Sequence, residues 1–569
     1  MLKGIAASQG VAIGKALVIE EIKPEIKKIE LEATEVSAEL ERFRQAVEVS
    51  RLQLEKIKQA AERKLGADKA EIFGAHLLML EDPEFTGSVG QKISGENVNA
   101  EYALKEVTEM FVSIFDSMDN EYMKERAADV KDVSGRLVNN LLGIGDTSLL
   151  NLDCERIVVA RDLTPSDTAQ MDKNYVIGFA VEVGGRTSHS AIMARTMEIP
   201  AVVGLGSIKD IKSGDLLILD GSNGVLIINP DEAVLQEYEH RKLEEQKSKK
   251  ELEALRDLET VTRDGRKILL AANIGSPNHT GGVLRNGAEG IGLFRTEFLY
   301  MESDAAPDEE QQFNAYKAVL QDMGSRPVII RTLDIGGDKQ LAYLNIGAEA
   351  NPFLGYRAIR LCLDRRDLFK TQLRALYRAS VYGNLKMMFP MISSLQELRQ
   401  AKSAVAEVKT ELEAEHIAYG AVEIGIMIEI PSAAVISDVL AKEVDFFSIG
   451  TNDLIQYTVA VDRMNERIAY LYDPFHPAVL RLIKLVIDNA HKAGKHVGMC
   501  GEMAGDRAII PVLLGMGLDE FSMSASGILG ARKLVRSLEF EYAEKLAGEV
   551  LQLGSSDDIR RYLESVKKF

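Results

Sequence analysis

The chain has 569 residues, 46% hydrophobic and 27% charged, a length that calls for about three or four folding units and a composition that excludes disorder over most of it. Its 68 lysines and arginines against 87 aspartates and glutamates leave a net charge of −19, so the surface as a whole repels nucleic acid and anionic membrane, and an anionic substrate must be met by local arginines. Three cysteines, Cys154, Cys362 and Cys500, lie far apart and form no CxxC pair, which argues against a disulfide framework and a structural zinc site.

The opening run MLKGIAASQGVAIGKALVIE alternates as strands do, and Ser8, Gln9 and two lysines interrupt it, unlike the core of a signal peptide. No later stretch has the uninterrupted apolar length of a membrane span, so a cytoplasmic protein is expected. A matching strand pattern returns in VIGFAVEVGG and DLLILDGSNGVLIINP, and the two parts can share one sheet. Between them, residues 34 to 144 have helical period with Pro83 as the sole proline, which reads as an inserted helical subdomain. The run DEAVLQEYEHRKLEEQKSKKELEALRDLE is dense in alternating charge and lacks glycine and proline, which predicts an exposed linker helix with few apolar positions for a coiled coil.

After residue 260 eight short β-rich runs alternate with helical ones: ILLAANI, GIGLFRTE, PVIIRTLDIGG, LKMMFPMI, VEIGIMIEIP, FFSIGTND, HVGMCGE and DEFSMSA. This pattern predicts a (β/α)8 barrel with its active site at the C-terminal strand ends. Asn273, Arg295, Glu297, Arg331, Asp334, Glu429, Asn452, Asp453, Cys500 and Glu502 all fall at those ends.

Arg295, Arg331 and Arg463 are forks suited to phosphate and carboxylate, and their convergence implies a small polyanion; singly, each could equally be a surface ion pair. Glu429 and Asp453 are a pair of hard oxygen ligands suited to magnesium or manganese, the other reading being two acids neutralised by nearby arginines. Cys500, in GMCGE, can protonate an enolate carbon, or it can be an inert buried thiol like that expected of Cys154 and Cys362. In VEVGGRTSHSAIMAR a β run ends at Gly184 and Gly185 and a helix begins near Thr187 and Ser188, which puts His189 in its first turn. Unpaired N–H groups there suit a phosphate carried on the ring, so His189 is the candidate nucleophile, with a capping or core histidine as the plainer alternative. His76 could touch a partner or simply pack.

These residues resemble enzyme I, the phosphoenolpyruvate-protein phosphotransferase family of the bacterial sugar phosphotransferase system, over essentially the whole chain. GGRTSHSAIMAR is similar to the phosphohistidine motif. GLFRTEFLYM, RTLDIGGDK, NPFLGYRAIR, DFFSIGTNDLIQYTVAVDR, GMCGEMAGD and GMGLDEFSMSA are similar to the barrel motifs. The resemblance implies a multidomain α/β protein: a swivelling phosphohistidine α/β domain (1–21 and 145–230), an inserted all-α subdomain (22–144), a linker helix (231–260), and a phosphoenolpyruvate-binding (β/α)8 TIM-like barrel that also dimerises (261–569). It makes His189 the phosphorylated residue, with Thr168 and Arg126 near it. Arg295, Arg331, Asn452, Asp453 and Arg463 would bind phosphoenolpyruvate, Glu429 and Asp453 would hold Mg2+ (or Mn2+), and Cys500 would protonate the enolate to pyruvate. The acceptor would be the histidine phosphocarrier HPr, docked around residues 72 to 85 with Glu71, His76 and Glu84 as contacts. Ser190 stands where many relatives have threonine, which keeps the hydroxyl.

With nucleophile and substrate site on different domains, the layout predicts a swing of His189, hinged at the linker helix and at the crossings near residues 21 and 145. A pyruvate, phosphate dikinase or phosphoenolpyruvate synthase would need a nucleotide-binding domain, and no glycine-rich ATP-binding segment precedes His189. A noncatalytic phosphoenolpyruvate sensor predicts a damaged constellation, whereas nucleophile, arginines, acids and thiol are all present.

Overall fold

The computed structural model describes residues 1–19, 26–65, 67–116, 121–144, 152, 154–172, 174–185, 188–197, 199–301, 303, 305–337, 341–347, 349–465 and 467–566. The chain crossings near 21 and 145 lie outside the described residues. Two compact units divide the chain, Met1–Ser248 and Lys249–Phe569.

In the first unit, β1 (Leu2–Lys3), β2 (Ile5–Ser8), β3 (Val11–Ile19), β4 (Arg156–Ala160), β5 (Val176–Val181), β6 (Ala201–Val203), β7 (Leu216–Asp220) and β8 (Val225–Ile228) form one sheet in the order β1-β8-β7-β3-β4-β5-β6-β2. The N-terminal run and the later strands therefore do share a sheet: β3 pairs parallel with β4, Lys15 opposite Arg156, and antiparallel with β7. The central strands are apolar on both faces because both are covered. Ile157, Val159 and Ala180 pack with Leu217 and Leu219, while Val158, Phe179 and Val181 pack with Ala191 and Ala194.

Between β3 and β4 run helices α1 (Val36–Leu65), α2 (Ala67–Glu81), α3 (Pro83–Glu96), α4 (Ala100–Asp116) and α5 (Glu121–Leu142). Their core holds Phe43, Leu54, Phe85, Ile93, Leu104 and Leu137. Pro83 does not break this bundle, since it occupies the first turn of α3, where Asp82 caps the helix by accepting the Glu84 N–H. Helices α6 (Pro165–Gln170) and α7 (His189–Met197) follow β4 and β5. Helix α8 (Glu232–Glu253) buries no residue, as its charge pattern predicts, and Arg241 on it donates to the buried Asp220 at the end of β7, 2.6 Å away.

The second unit is a closed parallel barrel of β9 (Leu269–Ile274), β10 (Gly290–Arg295), β11 (Pro327–Arg331), β12 (Asn384–Phe389), β13 (Glu423–Ile428), β14 (Phe446–Ile449), β15 (His496–Met499) and β16 (Glu520–Met523). Each strand comes from one of the eight runs read in the sequence. Leu293, Ile329, Met388, Met427, Phe446 and Cys500 form one interior cluster. Toward the N-terminal end of the strands, Glu520 is buried, and a Cβ at Gly292 would stand 2.4 Å from its Oε1. Glycine there leaves the room that the carboxyl occupies. Outside the barrel, the fully buried Arg532 donates to the carbonyls of Leu255, Arg256 and Gly287 and to Thr260 Oγ1.

Cys362 is buried as expected, but Cys154 is exposed, because it lies ahead of β4 rather than inside a strand. No helix among the described residues is long and apolar enough to cross a membrane.

Candidate active site

The barrel mouth gathers its charges from successive strand ends. Arg295 and Arg331 close β10 and β11 and stand opposite each other in register. Arg331 is almost fully buried and donates to Glu297 at 2.7 Å, with Asp334 2.8 Å away. Asp334 also takes Arg357, at 2.9 and 3.2 Å to its two oxygens. Gly336, at φ 112°, makes that approach possible: a Cβ there would meet Arg357 Cβ at 2.4 Å. Burial works against both guanidinium charges, yet the nearby carboxylates outweigh it, and the pKa values of Arg331 and Arg357 are pushed further up.

Glu429 follows β13 and Asp453 lies in the helix Thr451–Val459 after β14. One Glu429 oxygen accepts the Met391 N–H at 2.6 Å, and Met391 adopts a left-handed φ of 57° to deliver it. Burial, then the charges of Asp453 and Asp334, push Glu429 up to about 8 against the pull of Arg331 and Arg357. Asp453 reaches Arg357 only at 3.5 Å, and its buried Oδ1 has no hydrogen-bond partner among the described residues. Four buried acids, Glu297, Asp334, Glu429 and Asp453, thus face two buried arginines, Arg331 and Arg357. The excess of negative charge and the unpartnered oxygen fit a divalent cation with hard oxygen ligands. No cluster of three or more His, Cys, Asp or Glu with metal-binding geometry occurs among the described residues, so the protein would supply two carboxylates and leave the remaining positions to water and substrate.

Asn452 is half-buried and accepts the Glu502 N–H at 3.1 Å. Arg463 is half-buried in the loop after that helix, its N–H bonded to Gln456, and its guanidinium lies beside Tyr472, whose hydroxyl burial pushes up to about 12. Cys500, just past β15, is buried; Asn273 holds its carbonyl at 3.1 Å and ties it to Ser522 of β16. Burial pushes the Cys500 thiol up to about 11, so it stays protonated through the neutral range, while Arg331 and Arg295 pull the other way.

In the first unit, His189 opens α7 as the sequence predicts. Its imidazole and the residues Arg186 and Thr187 lie outside what the structure describes, as does the Glu71 side chain. Around the helix start, Ser188 Oγ donates to the Gly185 carbonyl at 2.8 Å and lies 3.1 Å from Ser190 Oγ. Thr168 is buried in α6 and Glu84 is exposed at the start of α3. Arg126 is half-exposed on α5, 3.4 Å from Asp129. His76 needs correction as a docking contact: it is fully buried, edge-on to Phe73, with Nε2 3.1 Å from Asp129. A side chain with no exposed surface cannot touch a partner directly.

Sequence reading missed Arg357. Arg357 stands in NPFLGYRAIR, and an arginine within a stretch of glycine, proline and aromatics was the available signal.

Family models match in three segments: "PEP-utilising enzyme, PEP-binding domain" over residues 249–540, "PEP-utilising enzyme, N-terminal" over 3–126, and "PEP-utilising enzyme, mobile domain" over 152–224. A phosphoenolpyruvate-protein phosphotransferase of Priestia megaterium is 54% identical over 99% of this chain and 98% of its own. Proteins of the same name from Staphylococcus carnosus and Listeria monocytogenes are 53% and 54% identical, each over 100% of this chain and 99% of its own.

Proposed function

The chain belongs to the phosphoenolpyruvate-protein phosphotransferase family, and on that premise we propose that His189 takes the phosphoryl group of phosphoenolpyruvate and passes it to a histidine of HPr, with release of pyruvate. The observation that carries this reading is the barrel mouth, where arginines suited to phosphate and carboxylate border two carboxyls short of positive charge and a protonated thiol.

Arg295, Arg331, Asn452 and Arg463 bind the phosphate and carboxylate of the substrate. Arg357 keeps Asp334 and Asp453 in place. Glu429 and Asp453 hold Mg2+, with Mn2+ as the other fitting ion, and that ion when bound offsets charge on the phosphoryl oxygens. In the transfer the P–O bond of phosphoenolpyruvate breaks and a P–N bond to the His189 ring forms. The enolate left behind takes a proton at carbon from Cys500 Sγ, and the thiolate regains it from solvent. Each cycle needs His189, in the first unit, to meet the barrel mouth and then the acceptor. HPr docks on the helical insertion near Glu71 and Glu84, whose acidic rim suits a basic partner face. The enzyme works in the cytoplasm as a homodimer through the barrel.

Incubation with labelled phosphoenolpyruvate and Mg2+ tests the reading. The expected result is acid-labile, base-stable label on the wild type and none on His189→Ala. An unlabelled wild type, or label on His189 that requires ATP, sinks it.

A further inference from the structure

Cys500 stands one residue past β15, and the segment that carries it is held at three points. The last residue of β15 paired on both sides is Met499, opposite Ile449 of β14 and Phe521 of β16. Beyond it the Cys500 N–H reaches the Ile449 carbonyl at 3.1 Å, and the Glu502 N–H goes to Asn452 Oδ1 at 3.1 Å. The third hold is on the Cys500 carbonyl, taken at 3.1 Å by Asn273, a side chain of β9 that reaches across β16. The same nitrogen lies 3.3 Å from the Ser522 carbonyl, and Ser522 Oγ lies 2.6 Å from Asn273 Oδ1. Because a carbonyl only accepts, the atom that faces two of them is the NH2 group, and Oδ1 accepts the Ser522 hydroxyl. Both amide hydrogens are thus committed to backbone oxygens. Asn273 is half-buried at the mouth, yet it has no donor left for a substrate.

Cys500 Sγ is buried against Leu293, Met388, Met427 and Phe446 and lies 3.9 Å from the Ile449 carbonyl. A donor so enclosed reaches carbon only if its aim is fixed. The next residue is Gly501, where a Cβ would stand 1.8 Å from Thr451 Oγ1. Glycine lets the Cys500–Gly501 peptide lie against that helix, and it would also let the peptide turn once its carbonyl were released. We propose that Asn273 is a positioning residue for the protonation step: by holding the Cys500 carbonyl it sets the face of the enolate to which Sγ delivers its proton. The inference rests on the preceding reading, in which Cys500 is the donor. No bond forms or breaks at Asn273; the proton passes from Sγ to the enolate carbon, and a small error in the aim of a proton donor is expensive in rate.

The test turns over the full chain with Mg2+, HPr and phosphoenolpyruvate that carries one deuterium at C3 in defined geometry, in tritiated water, with the pyruvate trapped at once by reduction to lactate. The wild type should give a methyl group of predominantly one handedness. In Asn273→Ala, kcat for pyruvate formation should fall about tenfold to a hundredfold, with KM for phosphoenolpyruvate within about twofold. The excess of one handedness should drop to about half or less. A loss confined to KM, a wild-type kcat or a wild-type excess each overturns the proposal. In a Cys500→Ala background, Asn273→Ala should cause no further slowing, a result that general loosening of the barrel would not give; losses that multiply overturn the proposal. The outcomes separate the two levels of inference. A wild type that takes no label from phosphoenolpyruvate overturns the phosphotransfer reading itself. Wild-type turnover by Cys500→Ala removes the donor and the proposal with it, whereas a slow Cys500→Ala beside an unimpaired Asn273→Ala removes the proposal alone. Should Asn273→Ala fail to fold, Asn273→Asp, which keeps the shape and loses both N–H groups, carries the same comparison, with a lowered excess expected and a wild-type excess overturning the proposal.

Discussion

At the barrel mouth, charge meets charge before any substrate arrives: Arg331 and Arg357 are already committed to Glu297 and Asp334, all four buried. At the start of α7 the described polar groups are neutral, the hydroxyls of Ser188 and Ser190 and the backbone of Gly185. In the proposed reading the two regions do different work. A donor site must stabilise charge that shifts between phosphate, carboxylate and enolate, and prepaid orientation of strong charges achieves this where water is excluded. A carrier has only to hold the group without binding it too firmly to give it up, and a helix start with hydroxyls provides weaker, replaceable contacts.

If the mouth is the seat of chemistry, the largest effect should come from its proton donor. Cys500→Ala should lower steady-state pyruvate formation by about 10²- to 10⁴-fold while calorimetry finds phosphoenolpyruvate and Mg2+ binding intact; unchanged turnover would remove the thiol from the reaction. Next comes the contrast between committed and uncommitted arginines. Arg331→Met takes a buried guanidinium away from Glu297 and Asp334 and should cost about 3–5 kcal/mol in denaturant unfolding, whereas Arg295→Met, half-buried, should raise KM for phosphoenolpyruvate with little change in stability. Equal destabilisation by both would erase the distinction drawn here between the two residues.

The smallest effect concerns the other end of the barrel. Burial pushes Glu520 from 4.5 up to about 7, so between those values the folded state keeps a proton that the unfolded state has given up. The contribution of this one group to stability is therefore full below about pH 4.5 and falls as pH rises toward 7, by at most about 3 kcal/mol. Glu520→Gln should flatten that slope in thermal melts across pH 5 to 8, and a slope identical to wild type would show that the carboxyl is already ionised in the fold.

The barrel was legible because its strands are short apolar runs, several of them followed at once by the polar residue that stands at the mouth, as with PVIIR before Asp334 and GIMI before Glu429. Arg357 was not, because it reaches Asp334 from 23 residues further along, in a loop with no period to place it. His76 shows the opposite failure. Phe73, His76 and Leu80 recur at i, i+3 and i+7 on α2 and all are buried, so the helical stripe marked His76 as interior, and its polarity drew attention away from that spacing. The imidazole's partner, Asp129, lies 53 residues away on α5, a pairing that only the packed bundle reveals.

Arg532 bears on how small an autonomous barrel can be. Its guanidinium, with essentially no exposed surface, is held by the carbonyls of Leu255 and Arg256 and by Thr260, all upstream of the first barrel strand. A piece beginning at residue 261 would keep the cation and discard three of its acceptors, leaving a desolvated charge inside the fold. The minimal excisable barrel therefore starts ahead of Leu255, at a limit set by one side chain's need for oxygen atoms rather than by glycine, proline or a change in composition.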